Sequence, residues 1–129
     1  MSIAIHKFYY ITAVILLTLL YLYNMQSHSI EVTATAYTSS TNETDSTPYL
    51  AAWGNTLKPG IKAIAVSRDL IELGVTNGVE VSIEGLPGTY KVLDKMNKRW
   101  TKKIDIYMGD DIKKAKEWGN KTVYIYWDK

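Results

Sequence analysis

The chain has 129 residues, a net charge of +2 and no cysteine. The length suits one domain of about 100 residues with an N-terminal appendage. Missing thiols exclude disulfides, thiolate nucleophiles and cysteine zinc sites, and the near-balanced charge gives no electrostatic footprint for nucleic acid.

From Phe8 to Tyr23 no residue is charged, and only Thr12 and Thr18 carry aliphatic hydroxyls; Lys7 and the amino terminus precede the run. A positive start followed by an apolar stretch marks an export segment. The run alone is slightly short for a spanning helix, and the flanking Asn24, Met25 and Gln26 at the interface extend it. Two readings stand: an uncleaved signal anchor, or a signal peptide cut at the small-x-small triplet Ser27-His28-Ser29. Either divides the chain into residues 1–29 and a domain of residues 30–129 outside the cytoplasm. The position at the extreme N-terminus argues against a buried core helix.

Residues 31–37 alternate Val32, Ala34 and Ala36 against Thr33, Thr35 and Tyr37, the pattern of a half-buried strand. Residues 39–48 are rich in Ser, Thr, Asn and Asp and read as a loop, in which Asp45 is either a turn former or a site carboxylate. Residues 49–59 are irregular, with turns at Gly54-Asn55 and Pro59-Gly60; Trp53 there is a core aromatic or an exposed platform. Strands are expected over 62–66, 79–84, 89–93, 104–107 and 121–127, with a helical turn at 69–73. Asp110 and Asp111 favour a helix start, and Ile112, Ala115 and Trp118 give the helix one apolar stripe before Gly119. Lys113, Lys114 and Lys116 read as its solvated face. About six short strands, Gly/Pro turns and one or two short helices indicate a mainly β, compact barrel.

Both histidines, His6 and His28, lie in or beside the export segment. The domain therefore has no imidazole for a Ser-His-Asp, Cys-His or histidine-zinc centre of its own. Acid–base work falls to carboxylates, Lys and Tyr. Asp94 stands where a β-rich run ends, a usual place for a functional side chain. Asp105 stands between Ile104 and Ile106, against strand propensity and turned away from both. Between the two aspartates the chain is basic: Lys95, Lys98, Arg99, Lys102 and Lys103.

These residues resemble the three-aspartate (3D) domain, a relative of the double-psi β-barrels of lytic transglycosylases. Asp94 and Asp105 are eleven positions apart, as in that family. In the same order, Val32-Thr33-Ala34-Thr35-Ala36-Tyr37 is similar to its opening strand, and Ala52-Trp53-Gly54 through Pro59-Gly60 to its Gly-turn-Pro-Gly segment. Ala63 to Ser67, Leu73-Gly74, Trp118-Gly119 and Val123-Tyr124-Ile125 complete the match, over roughly residues 31–127. Two departures stand out. Lys95 to Trp100 replaces a glycine-rich loop, and Ser67 stands where the family often has Asp; Asp45 is the candidate for a third carboxylate.

The resemblance implies a six-stranded double-psi β-barrel acting on peptidoglycan glycan strands, with no metal and no cofactor. It implies Asp94 as the catalytic acid, then base, of lytic cleavage between N-acetylmuramic acid and N-acetylglucosamine. Asp105 then holds Asp94 or faces the oxocarbenium-like charge; its other reading is a carboxylate that hydrogen-bonds a barrel loop. Tyr37, Asp45, Trp53, Lys98 and Trp100 are the substrate-binding candidates. Aromatic rings stack on sugars or pack in the core, the core being the expectation for Tyr107. The cations, Arg99 included, meet the lactyl or peptide carboxylates or are simply solvated. The expected partners are peptidoglycan and, through the N-terminal helix, the membrane of the cell envelope, with no nucleic acid. The alternatives are a non-catalytic wall-binding module and a membrane-anchored structural or lysis-associated protein.

Overall fold

A computed structural model describes residues 2–24, 27–39 and 50–128. Asp45 lies outside the described residues.

The N-terminal helix α1 (Ser2–Asn24) reaches further upstream than the uncharged run and includes His6 and Lys7. Its apolar part, Ala4–Tyr23, is 20 residues long and exposed on every side. At 1.5 Å per residue it reaches about 30 Å, the thickness of a bilayer's hydrocarbon core. Its two threonine hydroxyls donate back along the helix, Thr12 to the Phe8 carbonyl (3.0 Å) and Thr18 to that of Val14 (2.8 Å). No side-chain donor of these threonines is left for lipid to satisfy.

Six strands follow: β1 (Ser27–Tyr37), β2 (Ala63–Val66), β3 (Glu80–Ile83), β4 (Thr89–Lys95), β5 (Lys103–Tyr107) and β6 (Lys121–Asp128). They close into a barrel in the order β1-β5-β2-β4-β3-β6. The pairs β1–β5 and β2–β4 are parallel, and the other four are antiparallel. Closure gives every strand a partner on each side, although residues 27–32 of β1 pair with β6 alone. Alternation supplies the interior: Val32 and Ala34 from β1, Ile64 and Val66 from β2, Val81 and Ile83 from β3, Val92 from β4, Ile104 and Ile106 from β5, Val123 and Ile125 from β6 form one buried cluster. The expected strands are all present, with no end shifted by more than four residues.

The largest shift is in β1. It begins four residues before the alternating run, and Ser27, His28 and Ser29 pair with Asp128, Trp127 and Tyr126 of β6. The His28 ring stacks on Trp127 at 5.6 Å. Pairing with a neighbouring strand, rather than an apolar pattern of its own, makes this segment extended. The triplet resembling a cleavage site and the boundary at residue 30 both fall inside β1.

The short helix α2 (Arg68–Glu72) and the turn after it plug one barrel mouth with Leu70 and Val75, both fully buried. Helix α3 (Ile112–Trp118) has the expected start, with Asp111 accepting from the Lys114 N–H at 2.9 Å. Its Trp118 indole donates to the Ala34 carbonyl (3.1 Å) and docks the helix on β1. Lys113, Lys114 and Lys116 are exposed. Gly109, at a positive φ of 60°, passes so close to Pro59 that an added Cβ would stand 3.1 Å from the proline Cα. A side chain there is opposed by both backbone conformation and space.

Candidate active site

A second, smaller apolar cluster lies outside the barrel. It joins Ala51 and Leu57 to Ala63 and Tyr107, with Tyr37, Ile61 and Leu93 packed against it. The segment from Leu50 to Leu57 therefore lies over the outer face of β1, β5, β2 and β4. Leu50 and Thr56 form an isolated bridge, and the Ala51 N–H donates to the Asn55 carbonyl at 2.8 Å.

The two aspartates stand on this covered outer face. Ala65 of β2 pairs with Asp105 on one side and Asp94 on the other. Thr35 of β1 pairs with Asp105 in turn. One row across four strands thus reads Thr35, Asp105, Ala65, Asp94. Two strand spacings set the Asp94 and Asp105 Cα atoms about 10 Å apart, with the buried methyl group of Ala65 between them.

Simple alternation does not put Asp94 in that row. Val92 faces the core opposite Ile64, so the next inward position would be Asp94 itself. The pairing slips between Ile64 and Ala65, and Leu93 becomes the extra residue of a bulge. A bulge re-aims the side chain that follows it. Here it turns Asp94 outward and leaves Leu93 to pack in the outer cluster. The Leu93 carbonyl accepts from the Asn55 amide at 2.7 Å, which ties the covering segment to the bulge.

Both carboxylates are partly buried and anchored. Asp94 Oδ1 accepts from the backbone N–H of Ala52 (2.7 Å) and of Lys95 (2.9 Å). Both bonds use one oxygen. Asp105 Oδ1 accepts from the Thr35 hydroxyl at 3.0 Å. Among the described residues neither Lys91 nor Lys95 forms an ion pair with Asp94; the Lys95 ammonium instead stands 5.5 Å from the Trp53 ring centre.

Tyr37 reports the convergence of the two acids. Its ring packs on Tyr107 at 5.4 Å, and the Tyr107 hydroxyl is hydrogen-bonded to Ser39. Burial, then the charges of Asp94 and Asp105, raise the Tyr37 phenol far above its ordinary range. Its hydroxyl is buried close to Asp94, though no contact there meets hydrogen-bond geometry. Tyr37 is thus a neutral O–H beside two carboxylates.

The other expected binding residues are spread more widely. Trp53 is not a core residue: it is 38% exposed, next to the Ala52 N–H that holds Asp94. Its backbone is left-handed (φ 62°), a conformation a tryptophan adopts only where its surroundings hold it. Lys98 is exposed on the loop between β4 and β5. Trp100 on the same loop is 37% exposed, with the Lys103 ammonium 3.6 Å and the Arg99 guanidinium 4.9 Å from its ring centre. Tyr107 is buried, as expected. Ser67, at the departure from the family pattern, is buried and stitches β2 to β5: its Oγ accepts from the Lys103 N–H, and its own N–H donates to the Lys103 carbonyl.

Sequence reasoning missed Thr35, Ala65 and the backbone of Ala52. Thr35 was within reach, since it shares with Tyr37 the polar face of an alternating strand. Ala65 and Ala52 carry no chemical signal and matter only by position. A search of protein families finds no match for the chain, and a search of curated proteins finds none either.

Proposed function

We propose that this protein is an exported, membrane-anchored barrel of the three-aspartate, double-psi type that cleaves peptidoglycan glycan strands by lytic transglycosylation. The observation that carries the reading is the placement of Asp94 and Asp105 on either side of Ala65, on one face, beneath an ordered covering segment. Paired carboxylates flanking a bound sugar are the usual equipment for glycoside cleavage.

The protonated form of Asp94 gives its proton to the glycosidic oxygen between N-acetylmuramic acid and N-acetylglucosamine. The C1–O bond breaks, and the glucosamine leaves with a free 4-hydroxyl. Positive charge develops at C1, where Asp105, held by Thr35, offers its negative charge. The Asp94 carboxylate then takes the proton of the muramic acid 6-hydroxyl. O6 closes onto C1, a 1,6-anhydro ring forms, and Asp94 is again protonated. No water is consumed. Tyr37, kept neutral, donates a hydrogen bond to a ligand oxygen, and Trp53 supplies an exposed ring beside Asp94.

Retention of α1 as an anchor is part of this reading. Ser27 to Ser29 are already strand, paired with β6, and a cut there would trim the folded barrel. The uncharged segment preceded by Lys7 orients the barrel away from the cytoplasm.

A second reading, a wall-binding module without catalysis, is favoured by one observation. The backbone N–H groups on Asp94 Oδ1 also fit a carboxylate whose task is to pin the Ala51–Leu57 segment. One experiment separates the two. The full chain in detergent is incubated with purified sacculi, and the soluble products are analysed by mass spectrometry. Lytic cleavage releases anhydro-muropeptides, and Asp94→Asn lowers the rate about 10²–10⁴-fold, the usual worth of a general acid–base group. Sedimentation with sacculi without any anhydro product selects the binding module, and undiminished release by Asp94→Asn removes Asp94 from the chemistry.

A further inference from the structure

The β4–β5 loop is the most strongly charged feature of the barrel. From Lys95 to Lys103 it carries Lys95, Lys98, Arg99, Lys102 and Lys103 and no acid. It is built into the fold rather than draped over it. The Met96 N–H donates to the Val66 carbonyl (2.9 Å), and the Arg68 Nε donates to the Met96 carbonyl (3.2 Å). The Lys102 N–H donates to Asp69 Oδ2 and the Lys103 N–H to Ser67 Oγ, both at 2.9 Å. The side chains of Lys98, Arg99 and Lys102 are left exposed.

Topology fixes which end of the barrel this loop occupies. β5 runs parallel to β1, and its first residue, Lys103, pairs with Thr33. The Thr33 N–H donates to the Lys102 carbonyl at 2.9 Å. The loop feeding β5 therefore lies on the side from which β1 enters, joining its ladder at the seventh of the strand's eleven residues. Only residues 25 and 26 separate the start of β1 from the end of α1. The basic loop and the apolar helix leave the same end of the barrel. Acidic residues stand at this end as well: Glu80 on β3, which pairs with β4, Asp128 on β6, and Asp69 and exposed Glu72 on α2, the Asp69 carboxylate accepting from the Lys102 N–H.

We propose that the Lys95–Lys103 loop docks the barrel onto the anionic phospholipid headgroups of the membrane that α1 crosses. This rests on α1 being the anchor and on nothing about catalysis. Clustered Lys and Arg beside a spanning segment gain binding from an anionic lipid surface, and tryptophan with basic neighbours is the composition of the membrane interface. The Trp100 ring, already engaged by Lys103 and Arg99, suits a headgroup layer better than stacking on a sugar. Docking holds the Asp94–Asp105 row two residues of β5, about 7 Å, beyond the loop, close above the bilayer.

The test uses the full chain in lipid nanodiscs of phosphatidylcholine with or without phosphatidylglycerol. Amide hydrogen exchange of the loop is measured, together with quenching of tryptophan fluorescence by lipids brominated near the headgroup, in wild type, Trp100→Phe and the double variant Lys98→Gln/Arg99→Gln. Docking predicts loop protection and Trp100-dependent quenching only with phosphatidylglycerol, both reversed by high salt. Each removed charge should weaken the docking equilibrium about fivefold. Equal signals in both lipids, or an unaffected double variant, overturn the proposal. Protection that appears only when soluble peptidoglycan fragments are added assigns the loop to the wall polymer and also overturns it. Should the double variant unfold, Lys98→Gln alone and the salt titration of wild type decide. Failure of the chain to enter nanodiscs at all would refute the anchor, and sacculus digestion reads the catalytic proposal separately.

Discussion

Strands β2, β4 and β5 have two faces with opposite demands. Inward, Ile64, Val92, Ile104 and Ile106 are fully buried among other aliphatic chains. Outward, the row reads Asp105, Ala65, Asp94, with Thr35 at its end. The inner face needs only volume and hydrophobicity, and strict alternation delivers both. The outer face needs two charged groups brought to one level, and alternation alone would have turned Asp94 into the core. The bulge at Leu93 removes that conflict. The lesson is that the core dictates the register, and a local irregularity frees one side chain from it.

Four substitutions probe this contrast, in falling order of effect. Ile106→Ala, on the inner face, should cost about 2–5 kcal/mol, the range for truncating a buried isoleucine, and chemical denaturation would measure it. A loss under 1 kcal/mol would mean the barrel interior is not the main source of stability. Ala65→Leu places a larger side chain between the carboxylates. It should cost about 1–3 kcal/mol from overpacking and, under the proposed lytic cleavage, abolish release of anhydro-muropeptides. A variant that is active at the wild-type rate would mean the space over Ala65 is not where a substrate lies.

Tyr37 tests what burial and the two aspartates together do to a phenol. In the unfolded chain its phenol loses its proton at about pH 10; in the folded protein burial and the two carboxylates keep the proton on well above that. Above pH 10 the unfolded state therefore binds fewer protons than the native state, and stability falls as pH rises. The contribution is fully present below pH 10, and its loss reaches about 1.4 kcal/mol per pH unit. Burial raises Tyr90 as well and adds a slope of the same sign. Tyr37→Phe should make the alkaline decline shallower in pH-dependent unfolding; an unchanged slope would mean that the phenol loses its proton alike in the folded and unfolded chain. Thr35→Val removes the Thr35 hydroxyl that donates to Asp105 and should cost about 1 kcal/mol in thermal melts, the smallest of the four effects.

Much of the outer row's chemistry was legible in the chain, but not its assembly. Asp105 between two isoleucines declared an outward carboxylate, and the strand ending near Asp94 declared a second. That they share Ala65 as a neighbour follows from a parallel pairing of β2 with β4 and an antiparallel pairing of β2 with β5, which no local pattern encodes. Trp53 and Trp100 looked alike in sequence and are almost equally exposed. The fold sets one beside Asp94 and the other on a cationic loop on the side of the barrel from which β1 enters. The opening of β1 was missed because Ser27, His28 and Ser29 have no apolar alternation; their extended form comes from β6 across the ladder.

The sequence by itself determined the apolar N-terminal helix, the six strands and the inner face. These depend on the period of hydrophobic residues along the chain, and burial of apolar surface rewards that period wherever the strands happen to pair. Tertiary structure alone decided the strand order, the bulge, the company Asp94 and Asp105 keep, and the end of the barrel from which the basic loop emerges. Those depend on which backbone groups bond across the barrel, and the residues involved are far apart along the chain.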